Sequence, residues 1–226
     1  MQNWINLKNV LFLTMLNDIK YELQYILSGK SEVKYGSIIQ TITSYLGRSK
    51  ETGGLASQEK SFKSKEKIKL IDWINSNNFW YDAIDFNLFV SEGAEQKVYL
   101  KDENFVLKLN DSIYYESWID YFYNLLLNNY FFPDTAYELI GFHMNSNILY
   151  AVVKQRFVKV DQLTDLAEVK IFLGNNGFEN TRNNDYYNPD LGIILEDLHD
   201  ENVLTQKGIL YFIDTVFYLN SDVFWK

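Results

Sequence analysis

The order of short β-rich runs and helical stretches constrains the fold of this chain most. Five runs rich in β-branched and aromatic residues are separated by polar turns, at 88–90, 97–100, 105–109, 137–142 and 148–153. Between the third and fourth runs, Ser112 is expected to cap a helix that continues to about Asn129. Short runs joined by Gly- or Asn-containing turns favour antiparallel hairpins. We therefore expect an α+β fold with a five-stranded antiparallel sheet and one inserted helix.

Helical periodicity dominates the residues before this sheet. Apolar side chains recur at helical spacing from Trp4 to Leu27, and Gly29 is well placed to end that helix. A second helix is expected at about 37–46. These stretches predict an N-terminal helical extension over 1–46, followed by a flexible polar linker over 47–66 and a short helix at 68–75.

The residues after the sheet indicate a second, smaller group of elements. A helix fits 160–175, and a loop rich in Asn and Tyr is expected at 180–189. The last predicted element is a hairpin that turns at Gly208.

The composition excludes several classes of function. The chain of 226 residues has a formal charge of −9, no cysteine and two histidines, which leaves no thiolate chemistry and no Cys-based metal site. An acidic protein is a poor binder of nucleic acid. The apolar runs are too short to span a membrane, and the first residues do not read as a secretory signal. We expect a cytoplasmic protein that binds neither nucleic acid nor membrane.

Three polar side chains near the C-terminal end have the spacing found in kinase-like phosphotransferases. Asp197 is followed five residues later by Asn202, and Asp214 comes after the predicted hairpin. At this spacing the first Asp accepts a proton from an attacking hydroxyl, and the Asn and second Asp hold metal ions that contact the ATP phosphates. The spacing predicts phosphoryl transfer.

Two motifs on the predicted sheet supply candidate phosphate contacts. Gly93 and Ala94, with Val98 on the next strand, occupy the hairpin where a kinase carries its glycine-rich loop. Lys108 lies on the third strand in Val-Leu-Lys-Leu, and an ammonium group among apolar neighbours requires an anion.

A carboxylate partner for this lysine is expected on the helix that follows. Glu116 and Asp120 are four residues apart and would share a helical face, so either could pair with Lys108. Glu116 is preferred because its side chain reaches further. Gln155 and Phe157 leave the fifth strand where a kinase hinge presents its backbone to adenine.

Taken together, the chain from about Leu70 onward resembles the protein-kinase-like superfamily. It is most similar to the small serine/threonine/tyrosine-type kinase domains of bacterial polyvalent proteins of mobile elements. The motifs that carry the resemblance are Gly-Ala-Glu-Gln-x-Val-Tyr, Val-Leu-Lys-Leu, the segment 131–142 and Leu-Glu-Asp-Leu-His-Asp-Glu-Asn-Val-Leu over 195–204. The last motif is also similar to the loop of aminoglycoside and choline phosphotransferases.

The resemblance implies a two-lobe fold, with an N-lobe over 67–157 and a C-lobe over 158–226. Only 12 residues follow Asp214 in the chain, so we expect a truncated C-lobe without the helices that bind peptide substrates. ATP and Mg²⁺ are the implied ligands. Asp197 is the implied base, Asn202 and Asp214 are the metal ligands, and Lys108 is the phosphate clamp.

Other implications of the resemblance leave alternatives open. His199 is expected either to contact the transferred phosphoryl group or only to bond the backbone. The acceptor is an unknown hydroxyl compound, either protein or small molecule. A pseudokinase that binds nucleotide without catalysis is the alternative function, and nucleotidyl transfer is a third. The N-terminal helices are expected to cover the short C-lobe or to form a homodimer.

Overall fold

The computed structural model describes residues 16–47, 59–93 and 96–226. These residues form two compact units. The first combines the described residues up to Ser31 with Val160–Lys226, and the second is Glu32–Lys159. The predicted extension over 1–46 is therefore divided between the two units. No helix within the described ranges has the length and apolarity needed to cross a membrane.

Helix α1 covers 16–27 of the described chain and ends where the sequence predicts. Gly29 has a φ of 74°, in the left-handed region that glycine adopts without steric cost. Its N–H donates to Ile26 O at 3.0 Å, and the N–H of Lys30 donates to Tyr25 O at 2.7 Å. This pair of bonds is a Schellman cap, which satisfies the last carbonyls of the helix. The predicted part of this helix over 4–15 lies outside the described residues.

Helices α2, Gly36–Gly47, and α3, Glu59–Ser76, precede the sheet. The prediction for α2 is confirmed, but the linker prediction is wrong over 59–66, which belong to α3. Lysine and glutamate are good helix formers, and Glu66, Leu70 and Ile74 recur at helical spacing as buried side chains. The remaining predicted linker residues at 48–58 lie outside the described ranges.

The predicted five-stranded antiparallel sheet is confirmed. Its strands are β1 Phe89–Glu92, β2 Gln96–Leu100, β3 Phe105–Asn110, β4 Glu138–Asn145 and β5 Ile148–Arg156, in the order β1-β2-β3-β5-β4. The turn from β4 to β5 consists of Ser146 and Asn147, with φ values of 48° and 66°. Two positive φ values match a type I′ hairpin turn, whose twist suits the flanking strands.

Helix α4, Trp118–Phe131, follows β3 and begins later than the sequence indicates. Its N-cap is Ser117, whose hydroxyl accepts the N–H of Asp120 at 3.0 Å. The prediction that Ser112 caps this helix is wrong, because Ser112 has a φ of 58° and its N–H donates to Asn110 Oδ1. That bond closes a turn between β3 and the helix. Helix α4 packs against α2 and α3.

The first unit contains a second, four-stranded sheet. Its strands are β6 Glu179–Arg182, β7 Asp185–Asn188, β8 Ile193–Glu196 and β11 Val216–Leu219, in the order β11-β8-β7-β6. The loop predicted at 180–189 is wrong, since it largely forms the β6–β7 hairpin. Tyr186 and Asn188 are buried on one face of β7, and this alternation is typical of a strand.

The remaining elements of this unit are α5 Leu166–Asn175, the hairpin of β9 Val203–Gln206 with β10 Ile209–Phe212, and α6 Ser221–Phe224. The hairpin turns at Lys207 and Gly208, as predicted for Gly208. Helix α5 begins later than expected. The segment before it is extended because Gln162 pairs with Thr205 of β9 and the Thr164 hydroxyl donates to Val203 O at 2.7 Å.

Candidate functional site

The β9–β10 hairpin brings two of the predicted metal ligands to the same end of the hairpin. Val203 pairs with Phe212 as the last register pair at the open end. Just beyond it, the N–H of Ile213 donates to Asn202 O at 2.9 Å. Asn202, the residue before β9, therefore lies directly opposite Ile213, the residue before Asp214. The register of the hairpin therefore brings Asn202 close to the start of the segment that carries Asp214, although the two residues are 12 positions apart in the sequence.

Asp197 is joined to this cluster by the side chain of Asn202. The amide nitrogen of Asn202 donates to Asp197 O at 2.9 Å and to Asp197 Oδ2 at 2.8 Å. Asp197 has a φ of 65°, a left-handed conformation that Asp and Asn adopt more readily than other L residues. The side chain is exposed, so its carboxylate is accessible to a second molecule.

His199 lies in the same loop and contacts both residues. The N–H of Glu201 donates to His199 Nδ1 at 3.2 Å, which assigns the hydrogen of a neutral imidazole to Nε2. Nε2 lies 3.2 Å from Asp197 Oδ1 and 3.1 Å from the amide nitrogen of Asn202. The structure thus brings together Asp197, His199 and Asn202, with Asp214 one residue from the backbone contact.

The donor chemistry of this cluster fits Mg²⁺. The side-chain hydrogen bonds of Asn202 to Asp197 use its amide nitrogen, so its carbonyl oxygen is the candidate cation ligand. Asp214 adds a carboxylate, and oxygen ligands are what Mg²⁺ prefers. Among the described residues, no group of three or more His or acidic side chains could hold a metal by itself. A two-ligand site of this kind suits Mg²⁺, which usually keeps water and phosphate oxygens as its other ligands.

The sequence did not identify the tip of the β6–β7 hairpin as a neighbour of this loop. Asp185 Oδ1 accepts the N–H of Asp197, and the carbonyl of Asn184 accepts the N–H of Leu198, both at 3.3 Å. Partial burial raises the pKa of Glu196, and the negative charge of Asp185 raises it further. The dipeptide Asn183-Asn184, which forms the turn between Arg182 and Asp185, is the sequence signal that could have revealed this hairpin, because Asn tolerates the positive φ of 50° at Asn183.

Lys108 belongs to the other unit and lies on β3. It is 3% exposed and pairs in register with Val98 of β2 and Val153 of β5. Its Nζ is 5.5 Å from the centroid of the Tyr137 ring. Two predicted phosphate-site residues, Lys108 and Val98, are therefore direct cross-strand neighbours, and neighbours across a sheet share a face.

Gly93 lies at the predicted hairpin between β1 and β2. Its N–H donates to Gln96 O at 2.9 Å, and apart from Gly93 itself and its two chain neighbours no described atom lies within 4 Å of the position that a Cβ would occupy. A ligand could therefore approach this backbone closely. Ala94, the other predicted residue of the loop, lies outside the described residues.

The adenine contacts predicted for Gln155 and Phe157 at the end of β5 rest on backbone groups and stay a prediction. Gln155 is 1% exposed, and its side-chain nitrogen donates to Thr135 O at 2.7 Å, so this side chain points into the protein. The backbone N–H of Phe157 donates to Asn104 O at 2.7 Å. It is therefore engaged within the unit instead of being open to adenine. A hinge role for other backbone groups of this segment stays a prediction.

The expected position of Glu116 is wrong. Glu116 is exposed in the turn before α4, because the helix begins at Trp118. Asp120 lies in the first turn, and its carboxylate accepts a hydrogen bond from the Ser117 hydroxyl at 2.5 Å. The two carboxylates do not share a helical face, so that basis for pairing Glu116 with Lys108 is removed. The pairing itself stays a prediction.

Comparison with known families agrees with the arrangement of elements and motifs. Residues 63–221 match the family described as a serine/threonine/tyrosine kinase found in polyvalent proteins. This segment contains the whole five-stranded sheet, α4 and the Asp197–Asp214 cluster. No curated protein and no solved structure matches the chain significantly. The chain therefore belongs to the family of serine/threonine/tyrosine kinases found in polyvalent proteins.

Proposed function

We propose that this chain transfers the γ-phosphoryl group of ATP to a hydroxyl acceptor in a reaction that depends on Mg²⁺. One observation carries the proposal: Asn202 bonds Asp197 through its side chain and the residue before Asp214 through its backbone. A proton acceptor and two oxygen ligands for a cation are thereby connected, which is what phosphoryl transfer to a hydroxyl group requires.

Asp197 is the proposed base. Its exposed carboxylate accepts the proton of the acceptor hydroxyl, and the amide of Asn202 holds it in the left-handed conformation. The Nε2–H of His199 donates to Asp197 Oδ1, so His199 orients the carboxylate. A hydrogen-bonded carboxylate loses fewer rotamers on reaction, which favours an aligned proton transfer.

Asn202 Oδ1 and the carboxylate of Asp214 are the proposed ligands of Mg²⁺, which, when bound, neutralises charge on the ATP phosphates. In the other unit, Lys108 is the proposed phosphate-binding cation. The register of the sheet supports this role, because it places Lys108 directly across from Val98, which follows the predicted glycine loop on β2.

Replacing the base tests this assignment. Asp197→Asn keeps the shape and the tolerance of a left-handed φ but removes the proton acceptor. We expect phosphoryl transfer to fall by about 10²- to 10⁴-fold while binding of ATP with Mg²⁺ is retained. The exposed Asp200 in the same loop provides the matched control, Asp200→Asn, which should keep activity.

Because the acceptor is unknown, the assay needs a mass readout across several acceptor classes. Proteins, nucleosides, sugars and aminoglycosides are incubated with ATP and Mg²⁺, and the mass of the adduct distinguishes a phosphoryl from a nucleotidyl group. An Asp197→Asn protein as active as the unchanged protein would refute the assignment of the base.

A nucleotide-binding protein without catalysis is the second candidate. The observation that favours it is the internal hydrogen bond of the Phe157 N–H, which removes one expected donor to adenine. Thermal melting with ATP alone and with ATP and Mg²⁺ separates the candidates. An upward shift without transfer to any acceptor supports this second candidate, and a Mg²⁺-dependent shift with transfer supports the kinase.

We also propose that the protein acts in the bacterial cytoplasm, where ATP is available. The acidic net charge supports a mild preference for basic acceptors.

The N-terminal helices are proposed to contribute either to folding or to a homodimer. In the first unit, the side chain of Gln24 in α1 donates to the carbonyl of Phe224 in α6. In the second unit, α2 packs on α4. These contacts support a role in folding.

A further inference from the structure

The ammonium group of Lys108 lies against an aromatic ring. Its Nζ is 5.5 Å from the centroid of Tyr137, and both residues are 3% exposed. A cation within about 6 Å of a ring centroid is attracted by the negative face of the ring, and the attraction is larger when both groups are removed from water. The Tyr137 ring therefore packs against the end of the flexible Lys108 side chain.

The backbone N–H and the backbone C=O of Tyr137 are both bound by the side chain of a single residue of α4. Asn129 Oδ1 accepts the N–H of Tyr137 at 2.7 Å, and Asn129 Nδ2 donates to Tyr137 O at 2.8 Å. The same amide nitrogen donates to Lys34 O at 2.9 Å. These bonds use both hydrogens and the oxygen of the amide, which fixes its orientation. Asn129 is 1% exposed, and its two bonds to Tyr137 are buried away from water.

The loop that leads to Tyr137 is also attached to the sheet. Gln155 of β5 donates its side-chain amide to Thr135 O at 2.7 Å. The N–H of Thr135 donates to Phe132 O at 3.0 Å, within the short 3-10 turn Pro133–Thr135. Anchors from α4 and from β5 therefore leave Tyr137 little freedom. A ring held in this way can restrict a neighbouring lysine.

From these contacts we infer that Tyr137, whose backbone is held by Asn129 of α4, is a positioning residue for Lys108. The inference rests on the proposed function, because phosphate binding by Lys108 is part of that proposal. A free lysine side chain samples many rotamers. Contact with the Tyr137 ring restricts the rotamers of Lys108 before nucleotide binds. The ring does not touch the nucleotide in this role.

Two substitutions separate the ring from the hydroxyl. Tyr137→Phe keeps the aromatic face, so the dissociation constant of a non-hydrolysable ATP analogue with Mg²⁺ should stay within about twofold. Tyr137→Leu removes the face and should weaken binding by about 5- to 30-fold, the range expected for loss of a buried cation–π contact. Binding is measured by calorimetry on the full chain.

A matched control is available on the opposite face of the same sheet. Tyr99 of β2 is 7% exposed and belongs to a core cluster with Leu107 and Leu109, whose side chains alternate with Lys108 along β3. Tyr99→Leu is an equally buried truncation that does not face Lys108. It should lower the melting temperature as Tyr137→Leu does but should leave the dissociation constant unchanged.

A measurement that does not need nucleotide tests the contact directly. In protein labelled with ¹³C at the lysine ε-carbon, the resonance of Lys108 is assigned by its disappearance in Lys108→Arg. A methylene group near an aromatic face is shifted upfield by the ring current, so the Lys108 signal should lie upfield of lysines that contact no ring. Lys154, whose Nζ is 5.0 Å from the centroid of Phe105, should be shifted as well but should not respond to changes at Tyr137. The shift should persist in Tyr137→Phe and be lost in Tyr137→Leu.

The outcomes distinguish this inference from the proposed function. An ordinary lysine shift for Lys108 in the unchanged protein overturns the inference, and this result needs no Tyr137 variant to fold. Equal binding by the unchanged protein and a folded Tyr137→Leu also overturns it. If the unchanged protein binds no ATP analogue but shows the upfield shift, the proposed function fails while the contact between Tyr137 and Lys108 stands.

Discussion

The side-chain amide of Asn202 donates to Asp197 Oδ2 over 2.8 Å, and the backbone carbonyl of the same residue accepts the N–H of Ile213. One residue thus orients the proposed base and fixes the start of the segment that carries Asp214. Removing its side chain should therefore affect both metal binding and proton transfer. The backbone bond should survive such a substitution.

Asn202→Ala should raise the Mg²⁺ concentration needed for half-maximal transfer by about tenfold or more, since an oxygen ligand is lost. The rate at saturating Mg²⁺ should also fall, because Asp197 loses two hydrogen bonds. Mg²⁺ titration of the transfer rate measures both effects. An unchanged half-saturation would contradict the ligand role, whereas a lower maximal rate alone would leave only the orienting role.

Asp214→Ala should abolish the part of ATP binding that depends on Mg²⁺ and leave the weaker binding seen with a chelator present. The reason is that Asp214 supplies the only carboxylate of the proposed two-residue ligand pair. Calorimetry with Mg²⁺ and with chelator measures the difference. Asp190→Ala, at an exposed position of the same unit, is the matched control and should bind like the unchanged protein.

Glu196→Gln should stabilise the protein at neutral pH and have little effect near pH 4. Partial burial, followed by the negative charge of Asp185, raises the pKa of Glu196 above its ordinary value of 4.5. A group whose pKa is raised in the folded state stabilises the folded protein at pH values below its ordinary pKa. That stabilisation is lost as the pH rises through the raised pKa. The charged form therefore costs stability at neutral pH.

The expected gain in melting temperature is about 1–2 °C at neutral pH, since charge effects on a partly solvated side chain stay below about 1 kcal/mol. Melting curves from pH 4 to pH 8 provide the test. Glu201→Gln removes an exposed carboxylate of the adjacent loop and is the matched control for the loss of one negative charge. A gain that is equal at both ends of the pH range would exclude this explanation.

Local sequence signals predicted the five-stranded sheet because each strand is an apolar run and each turn contains residues suited to it. Ser146 and Asn147 show this directly, since their positive φ values match the predicted turn. The start of α4 was not predictable in the same way. A buried hydrogen bond from Ser112 to Asn110 closes a turn, and Glu66 of α3 accepts the N–H of Trp118 at the new helix start.

In the candidate site, too, contacts within one loop could be predicted from the sequence, and contacts between distant residues could not. The contact between Asp197 and Asn202 could be predicted from the sequence, because the two residues lie in one loop only a few peptide units apart. The contact between Lys108 and Tyr137 joins residues far apart in sequence, and no local pattern indicates it. The engaged N–H of Phe157 likewise depends on Asn104, a partner set by the register of the sheet.

Helix α2 should be needed for the stability of the second unit. Ile39 of α2 is fully buried, and α2 packs on α4, so Ile39→Ala should lower the free energy of unfolding by about 2–5 kcal/mol. Tyr45 of the same helix is 40% exposed, and Tyr45→Ala should change it by no more than about 0.5 kcal/mol. Urea denaturation of both variants measures the difference.

A chain that begins at Gly54 tests both expected roles of the N-terminal helices, because it lacks α1 and α2 entirely. If they serve folding, the shortened chain should be markedly less stable, with the α2-facing side of α4 left exposed to water. If they form a homodimer, light scattering should show the full chain as a dimer and the shortened chain as a monomer of similar stability. A full chain that is itself monomeric, and a shortened chain that is soluble and equally stable, would exclude both roles.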